Sequence, residues 1–483
     1  MKNIFLVLFL FTSSVILAQV DTSKVYKKRV LEKTEVDILT SYYNQTGNNA
    51  AVTGGVGSEE LTDFTPNIII STPLNDDDIL TIDLGFSSYS SASSSNLDPF
   101  DASGASGGDD DDDYDDDDPI AGNDGINGTP WAASSGASER DTWINLTASY
   151  AHSSNDRNKL WNANVSFSKE YDYISMGLGA GRTLLFNNKN TEIGVQGSLY
   201  FDSWKPVYPT ELDTYVEVGG NLNSGFFSNA TILNSQGDAT GKQSNGWRPN
   251  DFKLLDNKGR NTFSLSFSFS QILSRNAQFS LFFDVIKQDG QLGNPMQRVY
   301  FADKPNYFIG NKESIPQYTS PNNKDVFMLA DNTEQLPNSR FKIPVGMRFN
   351  YFINEIITLR TYYRYYHDDW GINSNTFNVE VPIKFLNKFT LYPSYRYYDQ
   401  TQADYFAPFD KHLSTQKYYT SDYDLSKYSA DQFGIGLSYT DIFTNFKIRK
   451  WGLKTIDLKY NNYERNTGLK ANYFAIGFKF IAE

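Results

Sequence analysis

The sequence predicts an all-β protein, a transmembrane antiparallel β-barrel of about sixteen strands, with fourteen and eighteen as the alternatives. Three observations carry the prediction. Apolar and polar residues alternate with a period of two along many segments, the links between segments alternate between short and long, and aromatic rings collect at segment ends. A period of two puts successive side chains on opposite faces of a strand. In a membrane barrel one of those faces meets lipid and the other the lumen.

The chain opens with a secretory signal over 1–18. Lys2 supplies the positive start, 4–11 the apolar stretch and Ile16-Leu17-Ala18 the cleavage site. The apolar core is shorter than the roughly 20 residues of a helical span, so removal is expected, leaving a short periplasmic segment over 19–33 and no room for a plug domain before the first strand.

The barrel is expected over 34–480. Strands are read near 34–44, 61–74, 79–93, 141–154, 159–170, 173–186, 191–203 and 261–273. They continue near 277–288, 340–353, 356–368, 374–386, 389–402, 432–443, 447–461 and 469–480. The clearest is the eighth, where Phe263, Leu265, Phe267 and Phe269 alternate with Ser264, Ser266, Ser268 and Ser270. Trp161, Ala163, Val165 and Phe167 share a face of the fifth, and Phe279, Leu281, Phe283 and Val285 a face of the ninth. In the twelfth, Phe377, Val379, Val381, Ile383 and Phe385 oppose Thr376, Asn378, Glu380 and Lys384. Phe474, Ile476, Phe478 and Phe480 line up in the last.

A soluble sandwich also alternates, and the connections separate the two architectures. Every second link is tight, at 75–78, 155–158, 187–190, 274–276, 354–355 and 387–388. The longest links, near 94–140, 204–260, 289–339 and 403–431, fall between them as extracellular loops. Short turns at one rim and long loops at the other belong to outer-membrane barrels. Trp143, Trp161, Trp204, Trp370 and Trp451 fall at strand ends and read as girdle anchors at the membrane–water interfaces.

The 483 residues carry 43 Lys and Arg against 57 Asp and Glu, a formal charge of −14, and contain no cysteine. That excludes disulfides, thiol catalysis, Cys-ligated zinc and iron–sulfur clusters, and the acidity argues against nucleic acid. Much of it is one run in the Asp-rich loop: Asp109, Asp110, Asp111, Asp112, Asp113, Asp115, Asp116, Asp117 and Asp118. So dense a run repels itself and reads as a solvated loop, with weak surface Ca²⁺ binding as the second reading, since hard oxygens suit that ion but the spacing is not an EF-hand's. No resident cofactor is expected.

On the expected inner faces lie Arg348, Arg360 and Arg364, with Glu380, Lys384 and Arg396 on nearby strands. A charge facing lipid at the midplane costs about 2–4 kcal/mol, so these point into the lumen. Two readings stand: a selectivity lining for anions, and an Arg–Glu network that braces the barrel, Glu380 being placed to neutralise the cluster. Catalysis has little support. The only imidazoles are His152, His367 and His412, there is no G-x-S-x-G, and the protein is not expected to be an enzyme.

Several segments are specific: RVYFADKPNYFIGN at 298–311, LPNSRFKIPVGMRFNYFINE at 336–355, YYRYYHDDWG at 362–371, DYFAPFDK at 404–411 and STQKYYTSDYDL at 414–425. With YDYISMGLGAG at 171–181 and WKPVYPTEL at 204–212, they resemble an uncharacterised family of Bacteroidetes-type outer-membrane proteins, domain of unknown function 3570, over nearly all of the mature chain. The resemblance implies a barrel integral to the outer membrane of a Gram-negative bacterium, installed by the barrel-assembly machinery. It implies no activity and no catalytic residue. Members are often encoded beside a small lipoprotein, a thioredoxin-like protein and a flavin transferase, which implies an envelope redox partner system, although this chain has no redox residue. The aspartate run is longer than the family usually carries, and Ile481-Ala482-Glu483 departs from barrels that end on an aromatic residue, leaving Phe480 as the assembly signal.

The expected role is a passive, porin-like channel. One alternative is a non-conducting scaffold for envelope or surface partners, including a redox lipoprotein system, on the strength of the long aromatic loops. The other is a hydrophobic solute transporter, which the Ser- and Asn-rich inner faces disfavour. Expected partners are outer-membrane lipid, the assembly machinery, and lipoprotein or surface proteins.

Overall fold

The structure, a computed structural model, describes residues 28–91, 129–131, 140–256, 258–323 and 326–482. The signal over 1–18 and the aspartate run lie outside the described residues.

Sixteen strands form the wall. They are β1 (Glu35–Thr46), β2 (Leu61–Pro73), β3 (Asp78–Ser91), β4 (Arg140–Ser153), β5 (Lys159–Lys169), β6 (Tyr173–Phe186), β7 (Thr191–Trp204) and β8 (Gly259–Ile272). The second half is β9 (Ala277–Gly290), β10 (Ser339–Phe352), β11 (Thr358–Asp368), β12 (Asn373–Glu380, resuming at Ile383–Phe385), β13 (Phe389–Gln400), β14 (Tyr428–Thr440), β15 (Trp451–Arg465) and β16 (Lys470–Ala482). Each pairs antiparallel with its chain neighbours, and β1 pairs with β16 from Glu35↔Ile481 to Thr46↔Lys470. The sheet therefore closes on itself and leaves no unpaired edge, as a span without water requires.

Register carries one apolar face around the ring. Ile38 meets Ile68, Ile68 meets Leu84, Leu84 meets Leu146 and Leu146 meets Phe167. Further round, Phe267 lies between Val195 and Phe283, and Phe474 between Tyr42 and Tyr460. Many outward side chains lack protein cover, as at Val165, 54% exposed, and Phe433, 61%. Toward the long-loop rim the outer face turns amphipathic, with the hydroxyls of Tyr363, Tyr365, Tyr395 and Tyr460 bonded to Asn375, Asn373, Asp431 and Asn472. The opposite face carries serines, asparagines, charges and glycines.

Every expected strand is present, and the departures have local causes. β12 breaks at Val381-Pro382, because proline has no N–H to give the ladder. The register survives the break, with Glu380↔Ser394 before it and Ile383↔Leu391 after it. β14 and β15 lie up to four residues from where alternation puts them, because the link 441–450 folds as a turn anchored by Asp441, which accepts from Asn445 and pairs with Lys388 at 3.2 Å.

Short links close one rim, at 74–77, 154–158, 187–190, 273–276, 353–357 and 386–388. The last puts Leu386 and Asn387 at φ 50° and 59°, left-handed positions that suit asparagine. Both ends of the described chain sit at this rim: Arg29 pairs with Asp76 at 2.7 Å, and the Ala482 amide donates to the Thr34 carbonyl. The large excursions 47–60, 205–258, 291–338 and 401–427 all leave the other rim.

Candidate functional site

The long loops fold together as a cap. Their apolar side chains, among them Leu212, Phe227, Ile232, Trp247, Tyr300, Phe308, Phe327 and Leu329, form one buried cluster. A helix, α1 (Thr210–Glu217), contributes Leu212, and a small three-stranded sheet joins Leu233–Asn234, Tyr307–Gly310 and Val326–Met328 from two loops. At the centre is an ion pair with both side chains fully buried: Arg298 Nε and Nη2 donate to Glu211 Oε1 and Oε2 at 2.8 and 3.0 Å. Arg298 Nη1 reaches the Val52 carbonyl at 3.2 Å, so one guanidinium ties three loops together. His412 is buried here with Nε2 against the Thr420 carbonyl at 2.9 Å, a structural contact between segments of the last large loop.

Below the cap the lumen carries a cluster of cations. Arg348 on β10, Arg360 and Arg364 on β11, Glu380 and Lys384 on β12, and Arg396 on β13 all occupy inward register positions. Only Arg360 closes a salt bridge within this group, to Glu380 at 2.9 Å. Arg348 lies over the rings of Phe282 and Tyr362 at 5.4 and 5.6 Å. Arg348, Arg364 and Arg396 have no carboxylate partner among the described residues. In a ring of sixteen, strands eight apart face each other, which sets β2 and β3 opposite β10 and β11. Those two carry Asp63 and Asp83 inward, held by Ser87 at 2.5 Å and Asn67 at 2.8 Å. Hydroxyl and amide dipoles hold Asp63 and Asp83, while the Tyr392 ring lies beside Arg360 at 5.9 Å. Asp284 on β9 also takes an inward position, next to the cation cluster.

Where cap meets wall there is a cavity of 340 Å³. The cap side offers Glu334, Asp422, Asp424 and Gln297; the wall offers Arg260, Arg340, Lys342 and Trp370. Glu334 is 7% exposed; its Oε2 accepts from the Asn294 amide at 2.6 Å, while Oε1 closes no hydrogen bond. Burial, reinforced by the Asp422 charge, pushes the Glu334 carboxyl up to about 8. Burial raises Asp422 as well, with Asp424 adding to it. Two of the wall cations are already matched: Arg260 pairs with Asp202 at 2.7 Å, and Arg340 pairs with Asp368 at 2.5 Å beneath the Trp370 ring. Lys342 closes no salt bridge among the described residues.

The tryptophans need correction. Trp161 and Trp451 take outward positions, opposite Arg182 and Ala482. Trp143 turns inward opposite Ser87, and Trp204 packs inside against Tyr173 with Arg260 over its ring. Trp370 is 2% exposed and bonds the Ser339 carbonyl at 3.0 Å. Lying at a strand end does not say which face a ring takes; one residue of parity decides it. The aspartate loop residues proposed for Ca²⁺ are outside the described set, and no group of three or more metal-ligating side chains occurs among the described residues. The Glu211–Arg298 pair and Glu334 carried no periodic signal in the sequence. The continuous apolar runs 299–301, 307–309 and 326–330 are the trace by which a folded cap was detectable.

This geometry defines a membrane-spanning barrel of outer-membrane type, closed by sixteen strands and covered at one mouth by its own loops. The chain belongs to the family described as Protein of unknown function (DUF3570), which it matches over residues 8–468. No curated protein matches it. Among solved structures it is similar to a bacterial polysaccharide outer membrane secretin, at 10% identity and a TM-score of 0.38, covering 93% of this chain and 98% of that one. It is similar to a mutant of the TodX monoaromatic hydrocarbon channel, at 9% identity and a TM-score of 0.38 over 94% and 91% of the two chains. OccK2 of Pseudomonas aeruginosa, solved with glucuronate, matches at 9% identity and a TM-score of 0.36 over 94% and 98%.

Proposed function

We propose that this protein is a passive channel for small polar solutes across the outer membrane. The observation that carries the reading is that Arg348, Arg364 and Arg396 face inward and have no carboxylate partner among the described residues, across the lumen from Asp63 and Asp83. A network that merely filled the barrel would have neutralised these cations, since an unpaired buried charge is costly; solvated in a bore, they are tolerable. The cap's aromatic residues Tyr300, Phe308 and Phe327 are buried in one cluster, which weakens the scaffold alternative. Polar inner faces weaken the hydrophobic-solute alternative. The cap narrows the mouth and sets the size limit.

Liposome swelling with the purified full chain tests this. Vesicles carrying the protein are expected to swell in monosaccharide and progressively less in larger sugars. Swelling no faster than in protein-free vesicles for every sugar overturns the channel.

A further inference from the structure

We infer that the cavity between cap and wall is a binding site for a zwitterionic solute of amino-acid or dipeptide size, its ammonium group on Glu334 and Asp422 and its carboxylate on Lys342. The inference takes the channel reading as the solute's route, while the chemistry of recognition comes from the cavity alone. At 340 Å³ the space suits a molecule of that size. Its two sides have opposite sign, yet Glu334 and Lys342 line it without bridging to each other. Arg260 and Arg340 are each occupied by a carboxylate of the wall, which leaves Lys342 as the cation free to take an anion. On the cap, Glu334 Oε1 is buried and closes no hydrogen bond.

A buried carboxyl oxygen left unpaired costs stability, and a ligand's ammonium restores it by pairing with the carboxylate once the proton has left. A plain cation satisfies the cap and leaves Lys342 unmatched; a plain anion does the reverse. A solute with both charges a few bonds apart answers both walls at once, and specificity follows from the penalty on either half alone. Leu292, Leu336 and the Trp370 ring complete the lining and offer apolar contact to a short side chain. Burial, with the Asp422 charge adding to it, keeps a proton on Glu334 while the cavity is empty, and an ammonium group entering there takes the place of that proton, which leaves to solvent.

Calorimetric titration of the full chain in detergent micelles tests the site with three probes of nearly equal size: alanylalanine, its N-acetyl derivative and its C-terminal amide. The unmodified dipeptide is expected to bind at least about tenfold more tightly than either derivative, the scale of one charge-assisted hydrogen bond. Glu334→Gln should abolish the advantage over the N-acetyl form, and Lys342→Gln the advantage over the amide. Lys342→Gln changes the barrel wall and not the cap core, so it carries the test even where Glu334→Gln unfolds the cap. Equal affinities for the three probes, or ratios unmoved by Lys342→Gln, overturn the inference. Swelling in sugars alongside equal affinities strikes the site and leaves the channel; selective binding without swelling supports the site and strikes the channel.

Discussion

Arg298 and Glu211 show how a single buried pair organises the cap. Removing one partner leaves the other charge buried and alone, a loss of about 3–5 kcal/mol. Glu211→Ala and Arg298→Met are therefore each expected to open the cap, read as rapid protease cutting within 205–258 and 291–338 while the barrel core stays resistant. The double variant is expected to recover part of the loss, since no orphan charge remains. Glu334 adds a pH dependence. Its carboxyl stands at about 8 in the folded cap against an ordinary 4.5, so the folded cap holds a proton that an opened cap releases. Stability is then full below about 4.5 and declines as pH rises toward about 8. Cutting rates corrected against an unstructured peptide should rise between about pH 5 and pH 8, and Glu334→Gln should reduce that rise, the remainder belonging to Asp331 and Asp422, which burial also raises. At this scale the sequence was legible wherever parity governs, as for Arg348, Arg364 and Arg396. It was silent on Glu334, whose role comes from contacts between residues far apart in the chain.

Strands were the most legible elements, because lipid outside and water inside impose the same alternation on each of them. Their ends were less so. Pro382 interrupts β12 through a missing donor, and the Asp441 turn moves the start of β15, neither of which alternation registers. Neighbouring positions on β5 give a direct test of the face assignment. Val165 faces outward opposite Leu178, and Asn164 inward opposite Gly179. Val165→Arg is expected to cost about 2–4 kcal/mol of folding free energy in bilayers, measured by reversible unfolding from vesicles. Asn164→Arg, one residue away, should cost far less because its charge reaches the wet lumen. Equal losses at the two sites would contradict the assignment.

At the scale of the whole molecule, closure and the gathering of the large loops at one rim follow from the alternation of short and long links. The cap did not follow. Aromatic residues in the loops read as surface features, but they face one another in a small core, because connections of this length contain enough apolar residues to bury their own surface. The outcome is a wall that carries unpaired inward cations on one side, beneath a cap made of the barrel's own loops. Planar-bilayer recording of the purified chain under a potassium chloride gradient is the most direct measurement of that arrangement. Discrete conductance steps are expected, with a reversal potential that moves toward cation preference when Arg348, Arg364 and Arg396 are all changed to Gln. A silent bilayer, or steps whose reversal potential ignores the triple substitution, would contradict it.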